Sequence, residues 1–233
     1  MLLLALDSAE AACSVALWDL DRPESEALLG HRGLAPARGQ ADRLVELIDD
    51  LLAVAGVPYG ALALLAVNHG PGSFTGLRSA VAAGRGLALA TGLPVLAIGS
   101  LEALATAAPA GAGVLLAALD ARRGQVYAQA FAPDLTPRGP PRVVAPEAAV
   151  AEFRGHPLRL VGSGARLIAA ILPADVEAMI EPAELDARAV AGCAALRLAQ
   201  GRRPTVGTAL KPLYLRPPDA RPQVPLVAAV GEA

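Results

Sequence analysis

The sequence predicts an α/β protein built from two related lobes. Strand, helix and strand alternate with short links between residues 61 and 107, which indicates a partly parallel sheet. Both halves open alike, with an apolar strand, a polar turn containing an aspartate (Asp7, Asp120) and a second strand. At 54% hydrophobic and 18% charged residues, the chain can also bury a sizeable core.

The first apolar run, residues 2–6, has the unbroken character of a strand buried on both faces. Asp7-Ser8-Ala9-Glu10 turns the chain into a strand over 12–20. A turn with Pro23 leads to a third strand over 26–32, and a loop rich in Gly, Pro and Arg follows over 33–39. Leu44, Leu47, Ile48, Leu51 and Leu52 recur at helical spacing, so 40–55 is an amphipathic helix that Gly56 ends. A strand over 61–67 then meets Gly70-Pro71-Gly72-Ser73-Phe74-Thr75-Gly76, which feeds a helix over 77–90. Next come a strand over 95–98 and a helix over 101–107, with Ser100 placed to cap it. The small residues 109–113 are the candidate boundary between lobes.

The second half reads as a strand over 114–119, a hairpin turn over 120–124 and an alternating strand over 125–131. Proline-rich loops over 133–146 give way to a short helix opening at Pro146-Glu147. A strand over 158–161, the Gly162-Ser163-Gly164 turn, and helices over 165–172 and 186–200 complete the series. From Arg216 onwards the tail is rich in proline and has no periodicity, so disorder is expected there. Residues 1–108 are thus one lobe, completed by the helix near 186–200; 109–215 form a smaller lobe, and 216–233 a tail.

A formal charge of −2 gives no footprint for nucleic acid or anionic membrane. Cys13 and Cys193 make neither a disulfide framework nor a zinc site. The start lacks a basic leader, and Gly56, Pro58 and Gly60 interrupt the uncharged run 51–69, so no signal peptide or membrane span is expected. A reducing cytoplasm is the expected location.

Two readings stand side by side at the glycine turn. Amides beside a helix N-terminus favour anions, and with Asp7-Ser8 at the tip of the first strand they make a nucleotide site at Asp7, Ser8, Gly72 and Ser73. The other reading is a tight turn packed against a neighbour, with Ser73 or Thr75 capping the helix and Asp7 accepting its own backbone amides. His31, His69 and His156 share no ligand spacing, and Ser73 lacks a nucleophile elbow. Ala80, Ala83, Gly84 and Ala88 are small residues that let another helix approach, either a partner's or that of 40–55.

Taken together, Leu4-Ala5-Leu6-Asp7-Ser8-Ala9, Ala12-Cys13-Ser14-Val15-Ala16-Leu17, Gly70-Pro71-Gly72-Ser73-Phe74-Thr75-Gly76-Leu77-Arg78, Ser100-Leu101-Glu102-Ala103-Leu104 and Asp120-Ala121-Arg122-Arg123-Gly124-Gln125-Val126-Tyr127 resemble the TsaB family of bacterial tRNA threonylcarbamoyladenosine biosynthesis proteins. Pro212-Leu213-Tyr214-Leu215-Arg216 continues the likeness. The resemblance implies an actin-like ATPase (ribonuclease-H-like) fold, with mixed sheets flanked by helices in two lobes. It implies a scaffold or activating subunit that pairs with the catalytic homologue TsaD and the small ATPase TsaE. That assembly installs threonylcarbamoyl on N6 of adenosine 37 in tRNAs reading codons that begin with A.

The catalytic relative binds metal through a His-x-x-x-His pair, and Ser100 and Leu104 fall on those two positions here. No catalysis, metal or resident cofactor is therefore expected. Gln40 stands where the family usually has a histidine. Docking is expected through the helices over 40–55 and 77–90, at Leu44, Leu47, Leu51, Ala80, Gly84 and Leu87, with a homodimer when the chain is alone and tRNA reached only through the complex. The reading from another class is an autonomous actin-like nucleotide-dependent enzyme, a phosphotransferase or peptidase.

Overall fold

The computed structural model describes residues 1–10, 12–34, 43–153, 157–172 and 176–216. In chain order, the first half comprises β1 (Leu2–Asp7), β2 (Cys13–Asp19), α1 (Glu24–Ala27), β3 (Leu28–Leu34), α2 (Leu44–Ala55), β4 (Leu62–Gly70), α3 (Phe74–Thr91), β5 (Val95–Gly99) and α4 (Ser100–Ala107). The second half comprises β6 (Val114–Asp120), β7 (Val126–Phe131), β8 (Arg142–Val144), α5 (Pro146–Val150), β9 (Leu158–Val161), α6 (Ala165–Ala169), β10 (Ala178–Glu181) and α7 (Ala187–Ala199).

The two halves have one topology. The first sheet runs β3-β2-β1-β4-β5 and the second β8-β7-β6-β9-β10, each led by its first strand at the centre. In both, the first three strands are antiparallel neighbours, and the fourth and fifth add in parallel. This doubled ribonuclease-H-like arrangement is the actin-like ATPase fold.

Side-chain alternation on β1 explains how the layers assemble. Leu4 and Leu6 enter a core shared with Leu44, Leu47, Ile48 and Leu51 of α2 and Ala80 and Val81 of α3. Leu3 and Ala5 point the other way, into a core that α4, α7 and β6 share. Successive strand residues face opposite sides, so a central strand covered twice must be apolar throughout. The helices α4 and α7 pack against each other, with α7 lying on β1 and β2 and α4 reaching β6 and β7. One apolar layer therefore fills the space between the sheets.

Helix ends follow local chemistry. Gly56 (φ 66°) and Gly92 (φ 73°) adopt the left-handed conformation that closes α2 and α3. Ser73 caps α3 by accepting a hydrogen bond from the Gly76 amide, and Asp186 caps α7 by accepting from the amides of Arg188 and Ala189.

Several boundaries differ from the sequence reading. Helix α3 begins at Phe74 rather than 77, because the cap at Ser73 draws the rest of the glycine turn into its first turn. A helical turn, α1, takes residues 24–27, so the third strand starts at Leu28. Helix α6 ends at Ala169, short of 172, and β8 and β10 were not anticipated. The second sheet ends at Glu181, and residues assigned to the second lobe up to 215 run back over the first. Thr205 bridges to Val95, Leu210 is buried beside Val67, and the Leu213 amide donates to His69 O. The start of the expected helix at 40–42, and the tail from 217 on, lie outside the described residues; Arg216 donates to Ala121 O and to Gln125 Oε1.

Candidate functional site

At the carboxyl ends of β1 and β4 the two turns interlock. The Ser73 amide donates to Ala9 O at 2.6 Å, and the Ser8 hydroxyl donates to Gly76 O at 2.6 Å. A Cβ at Gly72 would collide with the Ala9 carbonyl, and one at Gly76 with that of Ser8. The glycines are therefore needed for backbone-to-backbone approach. Asp7, Ser8, Gly72 and Ser73 do come together: the Ser8 hydroxyl and the Ser73 amide bond across the two turns, while the Ser73 hydroxyl accepts from the Gly76 amide of its own helix. The glycine turn packs on the β1–β2 turn, the arrangement of the packed-turn alternative, with Ser73 left exposed.

Beneath it lies a buried polar chain. Asn68 Nδ2 donates to Asp7 Oδ1 at 2.6 Å, and Asn68 Oδ1 accepts from Ser100 Oγ at 2.8 Å and from the Gly70 amide at 3.0 Å. The Ala9 amide donates to Asp7 Oδ1 at 3.2 Å. Burial raises the Asp7 carboxyl to about 7, against the lowering effect of the Asn68 and Ala9 hydrogen bonds. Sequence reasoning did not single out Asn68. Its signal is a lone amide at the end of an apolar strand. Ser100 does not cap α4 as expected, because its hydroxyl turns to Asn68.

The second lobe repeats the pattern in looser form. Gly162 (φ 100°) matches Gly70 (φ 118°) at the end of the fourth strand, and the Gly164 amide donates to Ala118 O as Ser73 does to Ala9. Asp120 pairs with Arg122 across the hairpin turn. Ser163 Oγ accepts from the Asp120 amide and donates to Glu10 Oε1 at 2.6 Å, which links the lobes.

The positions corresponding to a metal-binding histidine pair do not fit an ion. Ser100 and Leu104 are fully buried, one in the polar chain and the other in the apolar layer between sheets. Among the described residues, no three His, Cys, Asp or Glu side chains converge to hold a metal. His69 Nδ1 lies 3.1 Å from Lys211 O, and burial lowers its pKa. His31 sits 3.9 Å from Asp186, and His156 lies outside the described residues.

The expected docking residues need correction. Leu44, Leu47, Leu51 and Ala80 are buried in the lobe's own core, with Leu87 packed against it. A Cβ at Gly84 would lie 2.7 Å from Val67 Cγ2. The small-residue stripe thus serves packing of α3 on β4 within the chain. Exposed apolar residues of the helix pair lie elsewhere: Leu89 is 85% exposed, Gly86 has open space where a Cβ would stand, and Val45 (49%) and Val54 (73%) lie on opposite flanks of α2.

A family model described as "TsaD: tRNA N6-adenosine threonylcarbamoyltransferase" matches residues 31–136. The Escherichia coli tRNA threonylcarbamoyladenosine biosynthesis protein TsaB is 39% identical over 129 residues, 54% of this chain and 53% of that protein. The chain thus spans about half the length of the named curated relatives it matches. Among solved structures, YeaZ from Pseudomonas aeruginosa is 30% identical with a TM-score of 0.77, covering 92% of this chain and 99% of that one. The chain belongs to the TsaB family. A second Pseudomonas aeruginosa structure, described as similar to peptidase YEAZ, agrees at 31% identity and a TM-score of 0.78 over 92% of this chain and 99% of its own. TsaB membership is thus supported along nearly the whole length by structure, and over about half of the chain by the named sequences. No helix of the described residues is long and apolar enough to cross a membrane.

Proposed function

We propose that this chain is a non-catalytic subunit in the synthesis of threonylcarbamoyladenosine on tRNA. It docks on a TsaD-type homologue and activates it to transfer threonylcarbamoyl to N6 of adenosine 37. The observation that carries this reading is the pair Ser100 and Leu104, buried in a TsaB-family fold where the catalytic relative needs two imidazoles. A hydroxyl engaged with Asn68 and an aliphatic side chain supply no metal ligands, so the chain contributes through contact instead.

The contact face is the outward side of the helix pair, where Leu89 is exposed and Gly86 allows close approach. The same face supports a homodimer when the partner is absent, and TsaE joins the assembled pair. Mixing the purified chain with its TsaD-type homologue is expected to give a heterodimer on size-exclusion chromatography and to accelerate tRNA modification. Separate elution, with modification equally fast without this chain, refutes the reading.

A further inference from the structure

Three side chains at the start of α3 form a surface cluster that neither the fold nor the docking face uses. The Phe74 and Tyr214 rings lie 5.1 Å apart at a tilt of 32°, and the Arg78 guanidinium sits 3.8 Å from the Phe74 ring centroid. Arg78 Nε donates to the Tyr214 hydroxyl at 3.1 Å. The Leu213 amide donates to His69 O at 2.7 Å and fixes the segment that carries Tyr214. Phe74 is nevertheless 43% exposed and Tyr214 41%. The chain has only three Phe, three Tyr and one Trp in 233 residues, so a held pair of rings open to solvent calls for an explanation.

We propose that this cluster binds a nucleoside phosphate, stacking its base on the solvent-exposed part of the ring pair and pairing its phosphate with Arg78. Base stacking needs an aromatic face and accepts any base, whereas the guanidinium supplies charge and a fork of donors. Arg78 has no carboxylate partner among the described residues, so its remaining N–H groups are available to an anion. A protein partner is the other class of ligand for exposed rings, but the surroundings do not match one. The exposed chain neighbours are Ser73, Thr75 and Lys211, hydroxyls and an ammonium, while the apolar Pro212, Leu213 and Leu215 are half-buried. The apolar docking residue on the same helix, Leu89, lies about 22 Å away at 1.5 Å rise per residue. The nucleotide can belong to single-stranded RNA or be free. This inference does not rest on the transferase assembly, and in its RNA form it replaces the expectation that tRNA is reached only through a partner.

The test is fluorescence anisotropy with the full chain, alone and mixed with its TsaD-type homologue. One arm uses a labelled single-stranded RNA heptamer and the other a labelled ATP analogue. Phe74→Leu and Tyr214→Leu are expected to weaken binding of at least one probe by about 5- to 100-fold, the range of base–aromatic stacking. Tyr214→Phe should bind nearly as the parent does, and Arg78→Gln should weaken binding and flatten its salt dependence. Loss confined to RNA identifies a polynucleotide ligand; loss confined to ATP identifies a free one. A 4-thiouridine-labelled heptamer should photo-crosslink the unaltered chain at peptides containing Phe74 or Tyr214, which tests the RNA arm without any variant. Parent-like binding by the leucine variants overturns the proposal, as does failure of the parent to bind either probe. Loss of the homologue by those variants with probe binding intact also overturns it and assigns the rings to protein contact. Because the isolated chain is titrated separately, a failed assembly would not be mistaken for a failed site.

Discussion

Asp7 illustrates how a residue's neighbours decide its chemistry. The sequence offered two readings of this carboxylate at a strand end, and only the parallel register of β1 and β4 shows Asn68 to be its partner. No local pattern carries that pairing, because the two residues are 61 apart in the chain. The pH consequence has a definite sign. The folded carboxyl titrates at about 7, above the ordinary aspartate value of 3.8, so the folded state retains a proton that the unfolded chain releases. The group's stabilising contribution is fully present below about pH 4 and is lost as pH rises through about 7. Asp7→Asn should flatten this component, seen as a smaller fall in Tm between pH 4 and 8 than in the parent. Asn68→Ala should cost about 3 kcal/mol or more in denaturant unfolding, since it strips partners from Asp7, Ser100 and the Gly70 amide and each buried orphan costs roughly 1–3 kcal/mol. A loss under 1 kcal/mol would mean water replaces the amide.

At the scale of elements, two glycines two residues apart on α3 have opposite surroundings. A valine at Gly84 would press on Val67 and is expected to destabilise the fold by about 1–3 kcal/mol through overpacking. A leucine at Gly86 meets nothing within the chain, so thermal unfolding should change little while affinity for the TsaD-type partner falls. Unaltered affinity would place docking on another face. The long helices and buried strands were legible because apolar positions recur within each. The edge strands β8 and β10 are short and largely exposed, so no buried apolar face marks them, and α1 is a single helical turn. Periodicity also identified the apolar face of α2 correctly but could not say what covers it. The docking expectation at Leu44, Leu47 and Leu51 came with the family resemblance, whereas the structure buries all three in the lobe's own core.

For the whole molecule, the duplication was visible in Asp7 and Asp120, each closing the first strand of its half. The sharing of α4 and α7 between sheets was not, because an apolar helix carries no mark of which layer it covers. One core spanning both sheets should unfold as one unit. Trp18, the single tryptophan, lies in that shared core, so its fluorescence and far-ultraviolet circular dichroism are expected to give coincident denaturant transitions. Leu104→Ala, at a fully buried site in the same layer, should shift both transitions together at a cost of about 2–5 kcal/mol. Separate midpoints would show two independently folding lobes.

The Ser163–Glu10 hydrogen bond and the shared helix layer together tie the halves at the rim and through the middle. Swinging the halves apart would break that exposed hydrogen bond and slide α4 and α7 off the strands they cover, so any hinge motion draws on the apolar layer itself.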